Sequence, residues 1–315
     1  MFYFIHTTVR IRKKHYRKNI KTDSASIQSS PDVKAAHARL RSMAKMPSET
    51  VQTSYGKSLK CSKIFIDIGA NIGLHSRFIF ESEHYPAKRI MDYSRASKNR
   101  WYYRMGVNLR QLCQVFNQTL GPPSSRRNRD SGICVFGLEA NPQRCERLKK
   151  LQKTYRNMGW YLNYSCPIAA YKNANGVNIY VDKTSDRDNN DWGASIHDWN
   201  KKDKRKSIKV PSVDLAQYVK FILNDHSPDF TMMKLDIEGA EYDVLPGLDK
   251  SGSLCSSNIN GLDYMTIEYH PWVTADRNWR SRHYEIKSKK CDIPTKILEL
   301  DSEAYYRDGV AFPKP

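Results

Sequence analysis

Three short apolar runs, each meeting an acidic residue at a turn, constrain this chain more than any other feature. Ile64-Phe65-Ile66-Asp67-Ile68 leads into Gly69-Ala70-Asn71-Ile72-Gly73. Ile133-Cys134-Val135-Phe136-Gly137-Leu138 stops at Glu139, and the run from Phe230 reaches Asp236 and Glu238. Such runs read as strands buried on both faces. Between them the period changes. Leu148, Leu151 and Tyr155 form a helical stripe behind Pro142, which suits a first helical turn. Asp214 stands where it can cap another helix through Phe221 and Leu223. Residues 160–170 and 264–269 supply further strands, and Val177-Asn178-Ile179-Tyr180-Val181 alternates as an edge strand does. Strands alternating with helices predict an α/β sheet that is mostly parallel and covered on both faces. At the end of the chain, Lys296-Ile297-Leu298-Glu299-Leu300 and Gly309-Val310-Ala311-Phe312 are expected to pair as an antiparallel unit.

Residues 1–58 look peripheral: basic, Ser-rich and without apolar periodicity. They carry much of the formal net charge of +19. Other basic clusters, at 126–129 and 201–206, read as loops. The pattern predicts non-specific contact with polyanions, not a sequence-reading nucleic-acid module, because zinc-finger spacing and an aromatic RNA-recognition signature are both missing. No stretch approaches the roughly 20 apolar residues of a membrane-spanning helix. The seven cysteines are odd in number, and Cys134 lies inside an apolar run. They read as reduced thiols. With only five apolar residues before His6, too few for a secretory core, the expected location is cytoplasmic. A transit peptide or a missing N-terminal anchor are the alternatives.

The spacing between the first two acids is anomalous. A dinucleotide-type βαβ unit brings its second acid roughly 20 residues after the glycine turn. Here Glu139 follows Asp67 much later, so an insertion is centred on 82–131. Its basic and aromatic residues could touch an anionic or sugar-bearing substrate, or its helix could pack Trp101, Leu109 and Leu112 on the domain.

The chemistry gathers at four motifs. In Asp67-Ile68-Gly69-Ala70-Asn71-Ile72-Gly73 the glycine turn lets a ligand approach the backbone. The carboxylate ahead of it repels a pyrophosphate but suits a cationic ligand such as S-adenosylmethionine. Gly-x-Asn-x-Gly also lacks the third glycine of the nicotinamide fingerprint. In Glu139-Ala140-Asn141-Pro142 the acid closes a second strand, where ribose hydroxyls would lie. In Lys234-Leu235-Asp236-Ile237-Glu238-Gly239-Ala240-Glu241 two carboxylates share a strand end, an arrangement that raises one pKa and suits a general base. These acids could also hold a divalent ion, though no metal is assigned, and Glu238 and Glu241 could simply cap a helix. Glu268-Tyr269-His270-Pro271 brings Glu268 and His270 to the same rim.

Together these motifs, with Val213-Asp214-Leu215, resemble the FkbM family of S-adenosylmethionine-dependent methyltransferases over about residues 63–312. The resemblance implies a class I methyltransferase, Rossmann-like: a seven-stranded, mostly parallel sheet with helices on both faces and an antiparallel last strand. Residues 59–315 would form that domain. It implies that Asp67, Gly69, Asn71 and Gly73 line the methionine part of the cofactor, that Glu139 takes the ribose and that Asn141 sits beside the adenosine. Asp236 and Glu238 would face the transfer site, with Asp236, Glu238 and His270, in that order, as candidate bases. The implied reaction is O-methylation of a hydroxyl on a sugar, glycan or small-molecule natural product. An RNA or protein methyltransferase using the basic segments is the alternative, and a non-catalytic cofactor-binding module the second.

Overall fold

Strand β1, Lys63–Ile68, is the centre of the sheet. Ile64, Ile66 and Ile68 point to one face and Phe65 to the other, and all four are fully buried. The computed structural model describes residues 61–85, 100–181, 194–198, 205–258, 261–270, 273 and 295–299. Around β1 lie β2 (Ile133–Leu138), β3 (Tyr161–Ser165), β8 (Phe230–Leu235), β9 (Tyr264–Ile267) and β10 (Lys296–Glu299). The order is β10-β9-β8-β1-β2-β3, and every pairing is parallel. This is a doubly wound sheet whose strand order reverses between β1 and β8. Open α/β sheets bind ligands beyond the carboxyl ends of their strands at such a reversal.

Helices cover both faces, as expected of a parallel sheet. On the face of Ile64 and Ile66 lie α5 (Leu215–His226) and α6 (Glu241–Lys250). On the face of Phe65 lie α1 (Leu74–Phe80), α2 (Arg100–Thr119) and α4 (Cys145–Asn157). Asp214 caps α5 by accepting from the amides of Ala216 and Gln217 at 3.0 and 3.3 Å. Asn141 accepts from the Gln143 amide at 3.1 Å and opens the turn through Pro142 that leads into α4.

The 82–131 insertion supplies α2 and the short α3 (Pro123–Arg126). Leu109, Leu112, Val115 and Phe116 of α2 are buried against the sheet, so this apolar stripe serves the core. Trp160 stacks on Phe80 at 5.0 Å and donates its indole N–H to the Arg127 carbonyl at 2.9 Å, which ties the end of the insertion down. The Trp101 side chain lies outside the described residues.

The described sheet has six strands, and its β10 runs parallel to β9; the 309–312 segment expected to supply an antiparallel last strand lies outside the described residues, as do 1–58. The run at β5 (Val177–Val181) does not join the main sheet: it pairs antiparallel with β6 (Lys206–Val210), and both pack in a small separate cluster. Two further short strands, β4 (Ala169–Ala170) and β7 (Ser212–Val213), pair with each other.

Most of the described cysteines are not reduced thiols. Cys61 is bonded to Cys134 and Cys145 to Cys166, Cys255 is disulfide-bonded too, and Cys113 is free. The cause is the pairing of elements. Cys61 precedes β1 and Cys134 lies in the neighbouring β2, so their Cα atoms come within 5.5 Å. Cys145 opens α4, which packs on β3, and Cys166 follows β3.

Candidate functional site

The β1 turn is built for close approach. Gly69 and Gly73 have φ of 76° and 78°, and Asn71, at 48°, is one of the few non-glycine residues in the left-handed region. A Cβ on Gly69 would overlap the Asp236 carbonyl oxygen, so the β1 and β8 ends touch backbone to backbone. Gly73 instead lets α4 in: a Cβ there would stand 2.5 Å from Leu151 Cδ2.

Glu139 locks this turn to the end of β2. Its Oε2 accepts from the Asn71 amide at 2.6 Å and its Oε1 from the Asn141 amide at 2.7 Å. Burial raises its pKa, while those amides, Lys234 and Arg144 favour the charged form. Each oxygen keeps a lone pair for a ligand hydroxyl. Asn71 Oδ1 is buried and accepts no hydrogen bond. An orphaned acceptor beside a glycine cradle fits a ligand that brings its own donors.

Lys234 lies behind the turn. Its side chain is 4% exposed, and Nζ donates to the Gly69 carbonyl at 2.6 Å and pairs with Asp236 Oδ2 at 3.2 Å. It stands 4.0 Å from Asp67 Oδ1, and the Tyr164 hydroxyl donates to Asp67 Oδ2 at 3.1 Å. Asp67 is fully buried. It therefore holds the turn from beneath.

The β8 end turns sharply. Glu238 has φ of 54° and Gly239 of 101°. Glu241 stabilises this bend: Oε1 accepts from the Ile237 amide at 2.8 Å and Oε2 from Gly239 at 2.9 Å. The same Oε1 lies 3.1 Å from His270 Nδ1. His270 Nε2 faces Glu238 Oε2 and Glu268 Oε1, both at 3.5 Å, and Asp236 Oδ1 at 4.0 Å. Burial by itself favours the neutral ring. Hydrogen bonds to Glu241 and Glu268 and the charges of Glu238 and Asp236 outweigh it and push the His270 pKa up to about 12. Burial, together with Asp236, Glu268 and Glu241, pushes the Glu238 carboxyl well above the usual carboxylate range, against the pull of His270.

These ends border an open cleft. Gly69, Asn71, Glu139, Asp236 and Glu238 line it, with Ile168, Ala169 and Ile179 as apolar walls. Asp67, Gly73, Asn141 and His270 are not in its lining and stand behind these residues. Sequence reasoning missed Lys234, Tyr164 and the bend-holding role of Glu241. Lys234 was legible in one respect: two positions before Asp236 on one strand, it falls on the same side. Tyr164 carries no local signal, because its partner is 97 positions away.

The sequence matches the model of the Methyltransferase FkbM domain over residues 114–294. The match takes in Glu139, the Asp236 to Glu241 bend, Glu268 and His270, and begins after the glycine turn of β1. No curated protein and no solved structure matches the chain. Matched over more than half its length, and built on a parallel α/β sheet of the Rossmann-like kind, the chain belongs to the FkbM methyltransferase family.

Proposed function

We propose that the protein is an S-adenosylmethionine-dependent O-methyltransferase acting on a hydroxyl of a sugar, glycan or small-molecule acceptor. The observation that carries this reading is the meeting of the Gly69 turn, Glu139 and the Asp236–Glu238 acids in one cleft at the strand-order reversal. The residues fit the cofactor. Glu139 has lone pairs for two ribose hydroxyls, Asn71 Oδ1 needs a donor such as an ammonium group, and an acidic rim suits a sulfonium. A pyrophosphate would meet the same acids unfavourably, which argues against a nicotinamide cofactor. Asp67, Gly73 and Asn141 act in this reading by shaping the turns. S-adenosylmethionine, when bound, supplies a methyl group on a positively charged sulfur.

The protein's part is to hold the acceptor oxygen in line and remove its proton. Asp236 Oδ1 is buried beside the cleft and accepts no hydrogen bond, so it can take that proton while Lys234 holds Oδ2. Glu238 completes the acceptor side, with His270 behind it. Carboxylates that accept from neighbouring hydroxyls favour a sugar. The disulfides favour maturation in an oxidising compartment over the expected cytoplasm, and glycans are natural acceptors there. Among the described residues no helix is long and apolar enough to cross a membrane.

The experiment is methyl transfer from labelled S-adenosylmethionine into separate pools of sugars, glycans, RNA and protein. Label in sugar or glycan hydroxyls, changing little between about 50 and 200 mM salt, is the expected result. Label confined to RNA and falling steeply over that range would hand the function to a polyanion acceptor.

A further inference from the structure

The ring of His270 is almost completely buried, yet what surrounds it is mostly carboxylate. Glu241 uses Oε1 on the Ile237 amide and on His270 Nδ1, and Oε2 on the Gly239 amide. Those contacts fix the ring and turn Nε2 toward the remaining acids. A carboxylate behind Nδ1 that orients the imidazole is the usual support of a metal-ligating histidine. Nε2 then faces Glu238 and Glu268 at 3.5 Å and Asp236 at 4.0 Å. Two ligands each about 2.1 Å from one ion stand roughly 3.0 Å apart at a right angle and about 4.2 Å apart when opposite. The observed separations fall inside that span. One ligand atom each from Asp236, Glu241 and His270 also lies within 4.8 Å of the others.

A second observation points to the same place. Asp236 Oδ1 is buried, aimed at Nε2 and without a hydrogen-bond partner, while its other oxygen is held by Lys234. A buried acceptor of this kind calls for a donor or a cation. Four carboxylates gather there against Lys234 and one imidazole, which gives up its proton when Nε2 ligates an ion, so the cluster can exchange that proton for a divalent charge.

We propose that His270 Nε2 and the carboxylates of Glu238 and Glu268 form a binding site for one divalent cation of the Mn²⁺ type, with Asp236 Oδ1 beside the ion and left to take the acceptor's proton. Carboxylates select the Mg²⁺, Ca²⁺ and Mn²⁺ group, and the imidazole tilts the choice toward Mn²⁺. The ion site rests on geometry alone. Its use, holding the acceptor hydroxyl oxygen and easing its deprotonation, rests on the methyl-transfer reading above.

The test is titration of the chelator-treated full chain with Mn²⁺, followed by loss of the free-ion paramagnetic resonance signal and by thermal melting. The expected result is one tight site per chain and a melting temperature that rises with Mn²⁺. Glu268→Gln and Glu238→Gln are each expected to weaken binding by at least about tenfold, the floor of what even supporting residues cost. Both side chains are partly exposed, at 21% and 23%, so the variants should melt like the parent without metal. Absence of Mn²⁺ binding, or binding equal to the parent's in both variants, overturns the site and leaves His270 as a structural cation. S-adenosylhomocysteine titrated into the same samples separates the two readings. Mn²⁺ binding without the nucleoside keeps the site and sinks the cofactor; the reverse sinks the site alone.

Discussion

Asp236→Asn is expected to lower methyl-transfer turnover by a factor of roughly 10²–10⁴ and to leave S-adenosylhomocysteine affinity largely unchanged. The substitution keeps size and shape. It removes the negative charge opposite Lys234 and a carboxylate oxygen at the cleft that is buried and accepts no hydrogen bond. An amide in that place can orient its oxygen to Lys234, which keeps the Gly69 turn supported through the Lys234 contact at 2.6 Å. It cannot accept a proton. Turnover equal to the parent's would remove Asp236 from the chemistry; loss of nucleoside binding in step with turnover would make it a cofactor residue instead.

Gly69→Ala carries the largest expected cost to folding. A left-handed backbone at φ 76° costs a non-glycine residue about 1–3 kcal/mol. The new Cβ would in addition overlap the Asp236 carbonyl oxygen and come within 2.9 Å of the carbonyl carbon. That backbone cannot step aside cheaply, because the Asp236 amide is bonded to the Ile68 carbonyl at 3.1 Å. The ends of β1 and β8 would have to part, and the cleft with them. We expect a fall in melting temperature of roughly 5–10 °C, together with loss of S-adenosylhomocysteine binding. Gly247→Ala is the control of opposite sign: it lies within α6, a Cβ there meets nothing within 4 Å, and the change should leave stability unchanged or improved by about 0.5–1 kcal/mol. A Gly69→Ala protein that melts and binds like the parent would contradict the backbone contact on which the site is built.

What the sequence revealed was whatever is local along the chain. The acid–glycine turn after β1, the Pro142 helix start, the Asp214 cap and the Leu148, Leu151 and Tyr155 stripe each depend on neighbours a few positions apart. What it hid depends on register between distant strands. Glu139 reaches the Asn71 amide across 68 positions. Lys234 reaches the Gly69 carbonyl across 165. Cys61 finds Cys134 across 73, because β1 and β2 lie side by side. Reading the cysteines one by one as buried thiols therefore failed, since burial and pairing leave the same apolar surroundings in a sequence. The acids around His270 were visible singly, but only the bend held by Glu241 turns them toward one ring. In the insertion, the apolar stripe of α2 was a sound guide to its packing, while the interleaved basic and aromatic side chains at its start lie outside the described residues.

The most direct test of the central claim is calorimetric titration of the full chain with S-adenosylhomocysteine, with NAD as the control ligand and Glu139→Ala as the control protein. Micromolar binding of S-adenosylhomocysteine to the parent, none of NAD, and clear weakening in Glu139→Ala, where the Asn71 and Asn141 amides lose their shared acceptor, are the expected results. Binding of NAD in its place, or no binding of S-adenosylhomocysteine to the parent, would contradict the claim.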